Sequence, residues 1–132
     1  MTSPLDGLPA PAAGDTGAIL PPSSLSLTFE PGPHRVLARV SGEIDMDDAE
    51  GLRKDLSTAL DSSRDGLDVD LSAVTFCDSQ GLHVLLDLNR LAAKTGKSLV
   101  LTALSRPVAH LLDVSGTDRL LKVRGRPDPK HP

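Results

Sequence analysis

Residues Val69 to Gly81 read VDLSAVTFCDSQG. Leu67, Val69 and Leu71 alternate with Asp68 and Asp70, the two-residue period of a strand with one buried face. The run stops at a turn, and Asp78-Ser79 opens a long helical pattern. Serine and aspartate are both favoured at helix N-termini, so either residue suits the cap. The first backbone N–H groups of a helix are unpaired and its macrodipole is positive there. A phosphate on Ser79 would suit that end of a helix while adding about −1.5 to −2 charges to the surface. The stretch reads better as a switch than as a catalyst.

Working outward, Leu25, Leu27 and Phe29 alternate with Ser26, Thr28 and Glu30, which predicts a half-buried strand. Pro31-Gly32-Pro33 is a turn signal, and Val36 to Val40 completes a hairpin. A helix follows Asp45, with Ala49, Leu52, Leu56, Ala59 and Leu60 on one face and Asp47, Asp48 and Glu50 near its start. The helix opening at Ser79 runs to about Thr95, with Gly96 as its C-cap. Ser98 to Thr102 is a fourth strand. Ser105 caps a short helix with Pro107 in its first turn, ending near Gly116, and Leu120 to Val123 is a last edge strand. Strands alternating with helices predict an α/β fold: a small sandwich with a mixed, mostly parallel sheet of four to five strands and helices packed against it.

Bulk properties bound the function. A chain of 132 residues is long enough for one domain with a sizeable core. The net charge of −4 argues against a nucleic-acid surface. Phe29 and Phe76 are the only aromatics, too few for stacking on bases. A single cysteine, Cys77, excludes an intrachain disulfide framework and a thiolate zinc site. The sequence calls for no cofactor and no metal, since phosphate-binding glycine loops and ligand clusters are missing and His34, His83, His110 and His131 are scattered. No apolar run approaches the roughly 20 residues that span a bilayer, and the N-terminus does not read as a secretory signal. The expected home is a reducing cytoplasm. Among 11 prolines, Pro4, Pro9, Pro11, Pro21, Pro22, Pro127, Pro129 and Pro132 fall near the ends. Residues 1–24 and 125–132 are therefore expected to be disordered tails around a domain at 25–124.

Three motifs together resemble the STAS-domain anti-sigma-factor antagonists. The first is carried by Asp70, Leu71, Ser72, Val74, Phe76, Asp78, Ser79, Gly81 and Leu82; the second by Gly42-Glu43-Ile44-Asp45; the third by Ser105 to Leu112 with Gly116. They stand in order over about residues 25–124. The resemblance implies a STAS fold and a binding module in place of an enzyme. It places Ser79 on the serine phosphorylated by the family's anti-sigma factor, which is also a serine kinase. It places Asp45 on an acidic residue that helps to bind that kinase. The face implied for the partner comprises Asp45, Asp78, Ser79, Gln80, Gly81, Leu82 and His83, and a serine phosphatase is the second partner. Many members carry Ser or Thr where this chain has Gln80, which removes a second acceptor and leaves the principal one.

Other readings stay open on the residues alone. Asp45 and Asp78 suit plain helix caps, and His83 suits a solvent-facing helix position. A STAS subunit of a larger sensory complex or of a lipid transporter would use the same domain for protein binding. A small serine hydrolase would need Ser79 as nucleophile with His83 as base, but the Gly-x-Ser-x-Gly elbow and a third orienting group are missing. Helix 79–95 has an unusually wide apolar arc. Val84, Leu88 and Leu91 beside its main stripe are either buried against a neighbouring helix or left for a partner.

A chain trimmed to residues 24–124 is expected to fold and to bind its partner within about twofold of full affinity, because the tails cannot bury enough apolar surface to order themselves. Calorimetric titration checks this; a large loss of affinity would put a tail in the interface.

Overall fold

The computed structural model describes residues 25–125; the two expected tails lie outside the described residues, apart from Gly125. The elements are β1 (Ser26–Glu30), β2 (Arg35–Ile44), α1 (Met46–Ser62), β3 (Gly66–Cys77), α2 (Ser79–Lys94), β4 (Ser98–Leu104), α3 (Arg106–Ser115), a short 3-10 turn (Thr117–Arg119) and β5 (Lys122–Val123). The five strands form one sheet in chain order. β1 pairs antiparallel with β2, and every later pair is parallel. The sheet is thus the mixed, mostly parallel one that the sequence predicts.

Strand order that always steps in one direction, with right-handed crossovers, puts α1 and α2 on the same face of the sheet. Burial agrees with that geometry. Val36, Ala38 and Val40 of β2, Leu67, Val69 and Leu71 of β3, and Leu99 and Leu101 of β4 are all buried. The alternate residues Leu37, Asp68, Asp70, Val100 and Thr102 are half-buried, and Arg39 is exposed. From α1, Leu52, Leu56 and Leu60 close the covered face, and from α2, Leu85 and Leu88 do so. Each such leucine contributes about 1.5–3 kcal/mol on leaving water. At the N-terminal ends of the strands, Arg35 donates to the Asp68 carboxylate and the Ser98 hydroxyl, both at 2.8 Å, so one guanidinium ties β2, β3 and β4 together.

Four details depart from the sequence reading. β3 does not stop at Leu71 but continues to Cys77. Two register shifts occur on the way: Arg39 and Ser41 of β2 face Asp70 and Ala73, then Gly42 and Glu43 face Val74 and Phe76. Each shift leaves one extra residue on β3, the signature of a bulge, and the buried positions then fall at Leu71, Val74 and Cys77. In β1 only Leu27 is half-buried; Phe29 lies exposed beside a shallow groove formed with Val36 and the Asp55–Ser62 half of α1. β5 shrinks to two residues because the 3-10 turn takes up the chain before it. The wide arc of α2 divides: Val84 and Leu88 are buried, while Leu91 is 40% exposed and lines an open groove with Ser57, Thr58, Leu60 and Asp61 of α1. Among the described residues, no helix is long and apolar enough to cross a membrane.

Candidate functional site

The site is built by one register pair. Ile44 ends β2, Cys77 ends β3, and the two are parallel partners. The next residue in each chain segment is an aspartate that caps the following helix. The Asp45 carboxylate accepts from the N–H groups of Asp47 at 3.0 Å and Asp48 at 3.2 Å. The Asp78 carboxylate accepts from Gln80 at 3.0 Å and Gly81 at 3.2 Å. The Asp78 N–H donates to the Ile44 carbonyl at 3.1 Å, tying the second turn to the first strand. Neighbouring parallel strands lie about 4.8 Å apart, so the two capped helix ends emerge side by side at the carboxyl edge of the sheet.

Asp78, not Ser79, is therefore the cap of α2. Ser79 is the first residue of the helix proper, and it is exposed, as are Gln80 and His83. Gly81 and Leu82 are buried, so they act on the face through the shape of the turn. Asp45 and Asp78 are half-buried. A Cβ on Gly81 would stand 2.7 Å from Cγ2 of Ile44 and 2.8 Å from Sγ of Cys77. Only glycine lets α2 start this close to the ends of both strands. Burial, with Asp78 adding a smaller push, raises the Cys77 thiol to about 12. It is a small buried group and not a thiolate nucleophile.

Two turns along, Arg53 of α1 donates to the Asp87 carboxylate of α2 at 2.5 Å. That hydrogen bond holds the Asp87 carboxyl below the usual carboxylate range and raises the Arg53 guanidinium in turn. The pair is partly open to solvent, so its contribution is about 0.2–1 kcal/mol, but it fixes how the two helices lie together. The sequence reading missed this pair and two exposed side chains at the same edge, Met46 and Phe76. Phe76 carries part of the motif, and the two-residue period of Leu67, Val69 and Leu71 already puts it on the opposite face; what periodicity does not show is the burial of Val74, which follows from the bulges. Among the described residues, no group of three or more His, Cys, Asp or Glu side chains is placed to hold a metal ion.

A family model described as "Mlab, STAS domain" matches residues 28–122. The chain belongs to the STAS domain family. The anti-sigma F factor antagonist of Paenibacillus polymyxa is 28% identical over 102 residues, covering 75% of this chain and 87% of the relative. The anti-sigma-B factor antagonist of Bacillus subtilis is 26% identical over 103 residues, covering 78% and 94%. The crystal structure of an anti-sigma factor antagonist from Mycobacterium paratuberculosis has a TM-score of 0.70 at 27% identity, covering 82% of this chain and 90% of its own. The family match, residues 28–122, takes in the edge that carries Asp45, Asp78 and Ser79.

The close approach at Gly81 gives a direct test. Gly81→Ala is expected to lower stability by about 1–3 kcal/mol through overpacking. Cys77→Ala in the same chain removes one of the two opposing atoms and should restore part of the loss, which is a coupling between the two sites. Urea unfolding of the single and double variants measures it. Additive losses would show that a side chain at position 81 does not meet Cys77.

Proposed function

We propose that this chain is an anti-sigma factor antagonist of the non-enzymatic kind. Its unphosphorylated form binds an anti-sigma factor with serine kinase activity and so frees a sigma factor. Phosphorylation of Ser79 switches that binding off, and a serine phosphatase resets it. The observation that carries the reading is an exposed serine hydroxyl on the first residue of α2, beside two capping carboxylates. The names of the relatives supply the partner class. The partner face comprises Asp45, Asp78, Ser79, Gln80 and His83, with Gly81 and Leu82 shaping it, and the setting is cytoplasmic.

The chemistry is ordinary phosphoryl transfer. The Ser79 oxygen bonds to the γ-phosphorus of ATP, the bond from that phosphorus to the β-phosphate oxygen breaks, ADP leaves, and a base of the kinase takes the hydroxyl proton. Two effects then act on the phosphate. The helix N-terminus favours it by about 0.3–1 kcal/mol at an exposed site. Repulsion from Asp45 and Asp78 is of comparable size while water screens it. The free fold therefore tolerates the phosphate. In a docked interface the same dianion is stripped of water, which costs several kcal/mol, and the complex falls apart.

A hydrolase reading still lacks an orienting group: the Asp78 carboxylate accepts from the helix amides of Gln80 and Gly81. A second reading keeps one observation in its favour, the "Mlab" description of the matching family model. Under it the chain is a STAS subunit of a larger complex, such as a sensory assembly or a lipid transporter, and binds its neighbours without phosphorylation.

With Ser79→Ala as bait, the native host should yield the anti-sigma factor kinase. Mass spectrometry after incubation with that kinase and ATP is expected to find one phosphate, on Ser79. A dominant phosphate on Ser72, Ser105 or a tail serine contradicts the assignment. By calorimetric titration Ser79→Asp should bind at least about tenfold more weakly than Ser79→Ala, while both melt within about 1 kcal/mol of the parent. Equal affinities of two folded variants would remove charge at Ser79 as the mechanism.

A further inference from the structure

The domain uses its few aromatic and sulfur-rich side chains in an unusual way. Its core is built from Leu, Val, Ala and Ile, with Cys77 at the margin. Of two phenylalanines in the chain, Phe76 is 47% exposed, and Met46, one of two methionines, is 64% exposed. Single exposed apolar residues are normal on any surface, and Val114 and Leu120 are such cases. Met46 and Phe76 differ in position. Phe76 directly precedes Cys77, and Met46 comes two residues after Ile44, so both flank the Ile44–Cys77 register pair. Three chain steps and one strand spacing put their Cα atoms at most about 16 Å apart.

The two strand ends and the helix starts that follow them carry charge of a single sign, with Arg106 and Arg124 standing farther along the sheet beyond β4. No lysine or arginine occurs in residues 40–52 or 72–89. The same edge presents Glu43 and Asp47, both exposed, and the half-buried caps Asp45 and Asp78. Aromatic residues and methionine are enriched at interface centres, where a few side chains dominate affinity. A ring of like charge around them steers a partner of opposite charge.

We propose that Met46 and Phe76 are the apolar anchors of the docking face, and that the partner meets them with apolar recesses set in a basic surface. The identity of the partner rests on the switch reading above. On this account the anchors hold the unphosphorylated complex and the carboxylates steer its formation. The partner's cations are already matched to these carboxylates, so the phosphate finds no free cation at Ser79; it breaks the complex by its bulk and by holding water where Met46 and Phe76 must dock dry.

The probe is the anti-sigma factor kinase recovered with the Ser79→Ala chain, titrated against full-length variants whose thermal melts confirm folding. Met46→Ala and Phe76→Ala should each weaken binding by about tenfold or more. Val114→Ala, equally exposed on α3, should stay within about twofold of the parent. Glu43→Gln and Asp47→Asn should slow association, and affinity should fall as salt rises from about 50 to about 500 mM. If both anchor variants bind like the parent while phosphorylation still switches binding, the anchor proposal is overturned and the switch stands. If the anchor variants weaken binding but phosphorylation does not, the switch falls and the docking face stands. Affinity independent of salt would overturn the basic partner. A dimer of the chain alone that Phe76→Ala dissolves would assign the face to a second copy and overturn the proposal.

Discussion

The pairing of Ile44 with Cys77, packed under Gly81, is the constraint on which the rest of this structure depends. Two parallel strands end level with each other, and the helix that follows the second starts in contact with both. Level strand ends make level helix starts, and the aspartate after each strand caps its helix. From that single alignment come the adjacent carboxylates, the exposed serine one residue beyond, and the exposed Met46 and Phe76. A larger residue at position 81 would lift α2 off the strand ends and separate these groups without touching any of them.

The fold and the proposed switch make different demands on electrostatics, and geometry reconciles them. Asp45 and Asp78 stabilise the protein because each accepts two helix N–H bonds at a positive helix end, a cap usually worth about 1 kcal/mol. Yet each cap leaves negative charge at the surface, next to the other. A phosphate added there is opposed by the neighbours and favoured by the helix end in similar measure, so the free domain is indifferent to it. A docked partner is not, because desolvation multiplies the penalty. In the proposed switch the same residues thus serve stability and sensitivity, through environments that differ only when the edge is covered.

Much of this was legible from residues alone. Helix faces, caps and turns follow from strong local patterns: leucines and alanines at steps of three and four in α1, Ser105 before Pro107, and Gly116 with a left-handed backbone at the end of α3. The parallel sheet follows from the alternation of strands and helices. What failed to show were features that need a second strand. The upper half of β3 buries Leu71, Val74 and Cys77, a spacing of three that no regular strand has; it exists because β2 pairs around two bulges. The choice between Asp78 and Ser79 as cap was equally hidden, since both residues suit it; the reach of β3 to Cys77 decides it. Leu91 repeats the lesson, for its place in the apolar arc of α2 matches that of Leu88, but only Leu88 is closed off from water, while Leu91 lines the open groove beside α1.

The central claim is that phosphorylation of Ser79 changes the charge of one edge and leaves the fold alone. Amide spectra of the unmodified and phosphorylated protein, recorded by nuclear magnetic resonance, test it most directly. The account predicts shifts confined to residues 43–48 and 76–83, with the β2–β4 strand ends held by Arg35 unmoved. Shifts spread through β4 and the Arg35 end of the sheet would contradict it, because they would mean that the phosphate works by refolding the domain.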